Sequence, residues 1–367
     1  MKDFKVTPYE VSGKIDYDKL VKEFGTERIN PRLLSRIEKH AGDLHFMLRR
    51  GIFFSHRDLN WILDEFEKGN KFFLYTGRGP SESVHIGHLV PWVFCKWLQD
   101  KFGARLYFQL TDDEKFLLKK DLSQEKTKKL AVENALDVIA LGFDPEKTKI
   151  IIDTENIKRL YPLALEIAKK LNFSTTKAVF GFTPETNVGL IFYTSIQSAP
   201  CFLENKPCLI PLGVDQDPHF RITRDIAPKI GKYKPAVIHN IMVPSLLGPD
   251  AKMSASVPES TIYTTDSPEV VERKIKKYAF SGGQATIEEH RKKGGNPDVD
   301  VSYQYLRLFF EPDDKKLQQI HDDYKSGKLL TSELKQILIE KINAFLKRHQ
   351  EEREKARSKL DKYLLKD

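Results

Sequence analysis

Short apolar runs alternate with longer stretches of helical periodicity through the middle of the chain. Most runs stop at a glycine or at acidic residues, as buried β-strands do. Because strands that alternate with helices form βαβ units, the pattern predicts an α/β fold with a Rossmann-type, doubly wound parallel sheet. Ligands of such sheets bind at the carboxyl ends of the strands. The five predicted strands cover residues 72–76, 106–110, 149–153, 208–214 and 236–239.

The two flanks of this region differ from it. Residues 1–70 are predicted as irregular chain with short helices, packed on the sheet domain at 71–260. Past about residue 260 the strand signals fade, and residues 261–367 are predicted as a second, all-helical domain. The apolar periodicity predicts helices over 269–279, 303–310, 313–325 and 331–364.

Composition narrows the class of protein. The chain has 367 residues, which suggests about two domains, and a formal net charge of +8 that permits an anionic partner. No apolar stretch is long enough for a membrane helix, and the three cysteines form no C-x-x-C pair. We therefore expect a cytoplasmic protein without a membrane partner, a disulfide framework or a metal held by the chain.

The first candidate site follows the first predicted strand. Gly77 and Gly79 would let the backbone approach a nucleotide without a side chain in the way. His85 and His88 are three residues apart and share one face at the start of a helix, where backbone dipoles attract phosphate. Alone, such a histidine pair is more often structural. After a strand and a Gly-Arg-Gly turn, it favours nucleotide binding.

The second candidate site is Lys252-Met253-Ser254-Ala255-Ser256, in a loop rich in glycine and proline. A lysine on a mobile loop can close on a pyrophosphate and stabilise the charge of the leaving group. Ser254 and Ser256 add hydroxyl donors. The alternative is a solvated surface loop.

Together these segments resemble the two signatures of class I aminoacyl-tRNA synthetases, HIGH and KMSKS. The residues at 85–88 match the first in full, and those at 252–256 match the second except that Ala255 replaces a lysine. Further strings are similar to tryptophanyl-tRNA synthetases of the eukaryotic cytoplasmic type. They are YTGRGPS at 75–81, TDDEK at 111–115, DQDP at 215–218 and AFSGG at 279–283.

This resemblance implies roles for residues around the strand ends. Tyr75 and Gln109 would bind the indole N–H, and Phe220 would pack on the indole ring. Glu114 would pair with the substrate ammonium, assisted by Gln197. Thr111 and Gln216 would complete the tryptophan site. The ATP site would comprise Gly77, Arg78, Gly79, His85, Gly87, His88, Lys115, Gln216, Lys252, Met253, Ser254 and Ser256, and Arg78, His85, His88, Lys115 and Lys252 would be the catalytic residues among them.

The resemblance also implies the reaction and the partners. The chain would activate L-tryptophan with ATP, whose Mg²⁺ comes with the nucleotide, and pass it to the 3′ end of the cognate tRNA. The sheet domain would be catalytic and carry an inserted dimerisation segment for a homodimer. The helical domain would bind the anticodon, because its lysines and arginines are interleaved with aromatic residues.

Some positions depart from the family pattern. Leu212 and Gly213 replace a Cys-Ala pair, and His219 stands where tyrosine is common. These changes bear on the walls of the pocket. Three other functions stay open from the sequence: a tyrosyl or other class I synthetase, a nucleotidyltransferase that does not use tRNA, and an inactive paralogue.

Overall fold

The computed structural model is built around a seven-stranded β-sheet. The structure describes residues 15–253 and 257–366, apart from the side chains of 249–252, and the backbone of residues 5–6 and 11–12. The strands are β1 (Lys5–Val6), β2 (Val11–Ser12), β3 (Glu27–Arg28), β4 (Phe53–Arg57), β5 (Phe73–Arg78), β6 (Arg105–Leu110), β7 (Thr148–Ile152), β8 (Cys208–Gly213), β9 (Ala236–Asn240), β10 (Pro244–Ser245) and β11 (Gly248–Lys252).

The helices connect these strands and make up most of the region after residue 260. They are α1 (Tyr17–Phe24), α2 (Pro31–Ala41), α3 (Phe46–Arg49), α4 (Leu59–Glu67), α5 (Ile86–Phe102), α6 (Asp112–Leu118), α7 (Gln124–Ala140), α8 (Ile157–Ala168), α9 (Phe173–Phe180), α10 (Val188–Ser198), α11 (Asp217–Ile226), α12 (Pro268–Tyr278), α13 (Ile287–Lys293), α14 (Val301–Tyr305), α15 (Asp314–Lys325), α16 (Thr331–Ala356) and α17 (Leu360–Tyr363).

The strand order across the sheet is β3-β4-β9-β8-β5-β6-β7. The five strands from β9 to β7 are parallel, whereas β3 and β4 pair in antiparallel fashion. The chain builds outward from β5 to β7 and then adds β8 and β9 on the other side of β5. This reversal between β5 and β8 is the point at which doubly wound sheets bind ligands. The predicted fold class is confirmed, with a sheet that is mostly parallel.

The sequence prediction was right for the parallel strands and wrong for the N-terminal segment. Each of the five predicted strands is present, with ends that differ by at most two residues. No strand was predicted before residue 70, yet β3 and β4 extend the sheet beyond β9. β4 lies within the string GIFFSHR at 51–57. This string is too short for the spacing of its apolar residues to distinguish a strand from a helix.

Helices cover both faces of the sheet. Successive side chains of a strand point to opposite faces, so Leu74 packs with α5 and α7 while Phe73 and Tyr75 pack with α8 and α10. The glycine-poor, β-branched and aromatic composition of the strands suits burial on both sides. No helix in the described ranges is long and apolar enough to span a membrane.

The C-terminal helices are attached to the sheet layer at several places, including α7 and β7. His349 on α16 contacts the Asp137 carboxylate on α7 at 2.9 Å, and Arg353 lies 3.3 Å from the same carboxylate. The backbone N–H of Leu365 donates to the carbonyl oxygen of Ile150 at 2.8 Å. The chain end therefore covers part of the edge of β7, which would otherwise expose unpaired backbone groups.

The predicted C-terminal helices are also present, with differences in their limits. The segment predicted at 303–310 is α14 followed by a π-helix over Leu306–Phe310. The long helix predicted over 331–364 is α16, a 3₁₀ turn at Arg357–Lys359 and α17. The short helix α13 was not predicted, because its seven residues contain one apolar side chain and so show no periodicity.

Replacing His349 by alanine is expected to lower the free energy of unfolding by about 2 kcal/mol. The substitution removes a buried partner of Asp137 and the packing of the imidazole on Phe345. Urea denaturation followed by circular dichroism measures the change. Lys347→Ala, an exposed position on the same helix, serves as the control and should change stability by less than about 0.5 kcal/mol. Equal stabilities of the two variants would contradict this account of the contact.

Candidate active site

A cavity of about 440 Å³ lies at the carboxyl ends of the parallel strands, beside the reversal between β5 and β8. Its walls come from β5, β6, β8 and β9 and from the helices that follow them. The structure brings into this cavity all predicted site residues whose side chains it describes. They are Tyr75, Gly77, Arg78, Gly79, His85, Gly87, His88, Gln109, Thr111, Glu114, Lys115, Gln197, Gln216, Phe220 and Met253.

Three predicted site residues lie outside this description. The side chain of Lys252 and the residues Ser254 and Ser256 are not among the described parts of the chain. The backbone on either side is described. Met253 is buried, and its N–H donates to the carbonyl oxygen of Val243 at 2.9 Å. The second signature therefore begins next to the cavity wall.

One end of the cavity combines aromatic rings with hydrogen-bonding groups. The Tyr75 hydroxyl lies 2.5 Å from Oε1 of Gln109 and 2.8 Å from the backbone oxygen of Gln197. The Phe220 ring meets Tyr75 edge-on, with 5.8 Å between ring centroids. Burial raises the pKa of Tyr75 well above its usual value, so the phenol stays protonated and can donate.

The other end of the Gln109 amide meets a buried acid. Nε2 of Gln109 donates to the two carboxyl oxygens of Asp153 at 2.8 and 3.0 Å. Burial and the neighbouring Asp113 raise the pKa of Asp153, and burial raises the pKa of Asp113 to about 6. No role for Asp153 is predicted from the sequence. The available signal was its place at the carboxyl end of a predicted strand.

Glu114 lies beside the aromatic end, on α6. Its Oε2 accepts a hydrogen bond from the Thr111 hydroxyl at 2.8 Å. Burial raises the pKa of Glu114, while Thr111, Lys115 and Tyr193 act in the opposite direction. Burial also lowers the pKa of Lys115. Burial thus disfavours the charged forms of both side chains. A cationic ligand group would stabilise the Glu114 carboxylate, and an anionic one would stabilise the Lys115 ammonium.

Close backbone approach explains two of the glycines. A Cβ on Gly77 would lie 2.4 Å from the carbonyl oxygen of Gln109 on the paired strand β6. A Cβ on Gly87 would lie 3.0 Å from Nδ1 of His85 and 3.6 Å from Sδ of Met253. A larger residue at 77 would displace strand β6. A larger residue at 87 would narrow the space between His85 and Met253, which belong to the two signatures.

The two histidines lie together at the start of α5. Their ring centroids are 3.6 Å apart, and Nδ1 of His88 accepts from the backbone N–H of His85 at 3.3 Å. Nη1 of Arg78 lies 3.5 Å from the same Nδ1. Burial lowers the pKa of Arg78 to about 10, so the guanidinium remains charged at neutral pH. A cation and a helix N-terminus thus face the same part of the cavity.

Residues 262–264, which follow the second signature, hold the start of α5 in place through backbone hydrogen bonds. The N–H of Ile86 donates to the carbonyl oxygen of Ile262 at 3.1 Å, and the N–H of Thr264 donates to that of Val84 at 2.8 Å. These backbone bonds tie the start of α5 to the beginning of the helical region. Movement of one segment is therefore coupled to the other.

Several wall residues were not assigned a role from the sequence. Leu212, Gly213 and His219, noted as departures from the family pattern, all line the cavity. Burial lowers the pKa of His219 to about 3, so this imidazole is neutral at physiological pH. Most of the other residues that line the cavity contribute apolar side chains or backbone groups, and no sequence motif marks them. They include Pro91, Trp92, Leu118, Tyr193, Ile210, Asn240, Ile241, Met242 and Val243.

Comparison with known proteins agrees with this geometry. A family profile described as "tRNA synthetases class I (W and Y)" matches residues 67–347. Over 356 residues the chain is 56% identical to the tryptophan–tRNA ligase of Sulfolobus acidocaldarius, a match that covers 97% of this chain and 93% of that protein. Identity to the ligase of Thermococcus onnurineus is 52% over 364 residues, covering 99% and 94%.

Solved structures extend the comparison to eukaryotes. The tryptophanyl-tRNA synthetase of Plasmodium falciparum aligns with a TM-score of 0.88 and 47% identity, covering 93% of this chain and 94% of that one. That of Giardia lamblia aligns with a TM-score of 0.90 and 38% identity, covering 96% of each. The resemblance to the eukaryotic type is confirmed and extends to archaeal enzymes. By sequence, fold and the residues of its cavity, the chain belongs to the class I tRNA synthetases as a tryptophan–tRNA ligase.

Proposed function

We propose that the cavity binds L-tryptophan at the Tyr75 end and ATP at the start of α5, so that carboxylate and α-phosphate meet between them. As a tryptophan–tRNA ligase, the chain uses tryptophan, tRNA and ATP. The observation that carries the residue assignment is the buried Oε1 of Gln197, which has no hydrogen-bond partner among the described residues. A buried acceptor without a partner costs free energy, so a ligand donor at this point is favoured.

In this proposal the indole ring packs on Phe220, and its N–H points toward Tyr75 and Gln109. An indole N–H only donates, so it needs an acceptor, which Gln109 and the Tyr75 oxygen supply. Thr111 and Gln216 complete the tryptophan site. A site that hydrogen-bonds this N–H rejects side chains that lack it, because its own polar groups would then stay unpaired.

The ammonium of tryptophan would lie between Glu114 and Gln197. Glu114 supplies the charge and Gln197 the neutral acceptor. Burial has already removed much of the solvent from this carboxylate, which raises its pKa in the absence of a cation. A bound ammonium would restore the charged form, and this gain is the physical reason for the assignment.

The ATP phosphates would lie against His85, His88, Arg78 and Lys115. Burial lowers the pKa of both Arg78 and Lys115, so an anion stabilises each of them in its charged form. Gly77, Gly79 and Gly87 leave room for the nucleotide. Gln216, Lys252, Met253, Ser254 and Ser256 would complete the site.

Activation then needs positioning and charge stabilisation only. A carboxylate oxygen of tryptophan attacks the α-phosphorus, the bond from this phosphorus to the bridging oxygen breaks, and pyrophosphate leaves. Lys252, His85 and His88 would stabilise the negative charge that develops on the phosphate oxygens. In the second step, a terminal ribose hydroxyl of tRNA attacks the carbonyl carbon of the adenylate, and AMP leaves.

Mg²⁺ would arrive with the nucleotide. Within the part of the chain that the structure describes, no cluster of three His, Cys, Asp or Glu side chains could hold a metal ion. We propose that the nucleotide carries the ion into the site. No step above requires a protein ligand to the ion.

The remaining proposals concern the organisation of the chain. The segment at 1–70 would support the catalytic domain at 71–260, and the helical domain at 261–367 would bind the anticodon of the tRNA. The basis is a set of lysines interleaved with aromatic residues, including Lys277, Tyr278 and Phe280. We expect the reaction to take place in the cytoplasm.

A homodimer is proposed from the surface of the segment between β7 and β8. On α8, Ile157, Tyr161 and Leu165 recur every four residues on one exposed face. Val188, at the start of α10, is 82% exposed. Large apolar side chains grouped in this way favour burial against another surface, and a second copy offers the same apolar face.

Replacing Glu114 by glutamine is expected to raise the KM for tryptophan by about 10- to 100-fold, because one charged hydrogen bond to the ammonium is lost. The KM for ATP should change little. Tryptophan-dependent ATP–pyrophosphate exchange measures both constants. Glu125→Gln, an exposed acid on α7, is the matched control and should behave as the native chain.

The pH profile separates this role from a structural one. The carboxylate binds the ammonium and its protonated form does not, so the KM for tryptophan should rise as the pH falls through the raised pKa of Glu114. Glu114→Gln should lack this rise. The same rise in both proteins would show that another group binds the ammonium.

Lys252→Ala is expected to lower the exchange rate about 100-fold, because charge on the departing pyrophosphate loses its partner. Tryptophan binding, measured by isothermal titration calorimetry, should stay near the native value. Lys234→Ala removes a positive charge at an exposed position away from the cavity and should leave the exchange rate unchanged. An unchanged exchange rate in Lys252→Ala would remove this residue from the mechanism.

Leu165→Glu is expected to convert a dimer into a monomer, since a charge would be buried in the apolar interface. Sedimentation equilibrium gives the mass directly. Lys347→Glu makes a similar change of charge on a distant exposed surface and should leave the mass unaltered. A dimeric Leu165→Glu variant would argue against this face as the interface.

A further inference from the structure

Asp153 is a buried acid next to Gln109, on the side away from the proposed indole site. Asp153 lies just past the end of β7 and is fully buried. Its two oxygens are 2.8 and 3.0 Å from Nε2 of Gln109. The other acceptor near this nitrogen is the more distant carbonyl oxygen of Ile196, at 3.5 Å. Asp153 is thus the main partner of the Gln109 amide on the side away from Tyr75.

A carboxamide has a donor end and an acceptor end of nearly the same shape, so sterics alone do not choose between its two orientations. An acid oxygen that faces the amide makes this choice, because it accepts from the nitrogen. We propose that Asp153 is a positioning residue that turns Oε1 of Gln109 toward Tyr75 and the indole N–H. This inference rests on the proposed function, in which Gln109 binds the indole.

The reversed amide would be unfavourable at both ends. Its nitrogen would face the indole N–H, placing a donor against a donor. Its oxygen would face the oxygens of Asp153. In a buried site such mismatches are expensive, because no solvent compensates for them. The orientation of one amide therefore decides whether the site accepts an N–H or rejects it.

The neighbours of Asp153 are consistent with this role. Burial and Asp113 raise the pKa of Asp153, and burial raises the pKa of Asp113 to about 6. Asp112 is turned away and accepts from the backbone N–H and the hydroxyl of Thr154, at 3.1 and 2.5 Å. A protonated Asp153 keeps an acceptor for Gln109. An asparagine at 153 has nearly the same shape and keeps one oxygen that can accept from Gln109.

The test compares tryptophan with β-(3-benzofuranyl)alanine, in which oxygen replaces the indole N–H. The quantity measured is the ratio of the two kcat/KM values in ATP–pyrophosphate exchange. Because both substrates are measured on the same preparation, the ratio does not depend on the fraction of active protein. A loss of stability alone therefore cannot change it.

Asp153→Leu, which keeps the branching of the side chain and removes the acceptor, is expected to lower the preference for tryptophan about tenfold or more. Asp153→Asn, which keeps an acceptor, should stay within about threefold of the native ratio. The inference is overturned if Asp153→Leu leaves the ratio unchanged or if Asp153→Asn loses as much as Asp153→Leu.

Gln109→Leu distinguishes this inference from the function on which it rests. Removing the amide itself should lower the ratio at least as much as Asp153→Leu. If Gln109→Leu lowers the ratio while Asp153→Leu does not, only the inference about Asp153 fails. If Gln109→Leu leaves the ratio unchanged, the role of Gln109 in binding the indole fails as well, and the inference falls with it.

Discussion

The reversal of strand order between β5 and β8 is the constraint on which the site depends. The helix after β5 covers one face of the sheet, and the segment that leads into β8 covers the other. A crevice therefore opens at the carboxyl ends of these two strands. The His85–His88 turn lies on one side of it, and the Gly213–Gln216 turn lies on the other. The width of the crevice further depends on glycines where a Cβ would collide with the neighbouring strand or signature.

Burial then determines the electrostatic character of this crevice. It lowers the pKa of the cations Arg78 and Lys115 and raises the pKa of the acids Glu114 and Asp153. The largest cause of each shift is the removal of water from groups that water would otherwise stabilise. Ligands of opposite charge reverse them, so a zwitterionic amino acid and a polyphosphate suit the same cavity at different ends. His219 forms part of the cavity wall, and its imidazole is neutral because burial lowers its pKa.

Segments far apart in the chain hold the crevice in place. Arg57 on β4 donates to both carboxylate oxygens of Asp217, at 2.9 and 2.8 Å, beside the turn that carries Gln216. His239 on β9 contacts the same carboxylate at 2.9 Å. The hydroxyl of Tyr17 accepts from the N–H of Met242, a wall residue, at 2.9 Å. The N-terminal segment, which the sequence predicts to pack on the catalytic domain, is therefore also part of the support of the site.

The sequence by itself determined the parallel strands, the C-terminal helices and the two signatures, because each is encoded by a local pattern of apolar spacing or by a contiguous string. It also named the residues that meet in the cavity, through their resemblance to a family. Only the tertiary structure decided which groups face one another. The bond between Gln109 and Asp153 joins two strands 44 positions apart, and β3 and β4 join the sheet through pairing with β9. Such contacts depend on burial and on register between distant segments, which no local pattern of residues records.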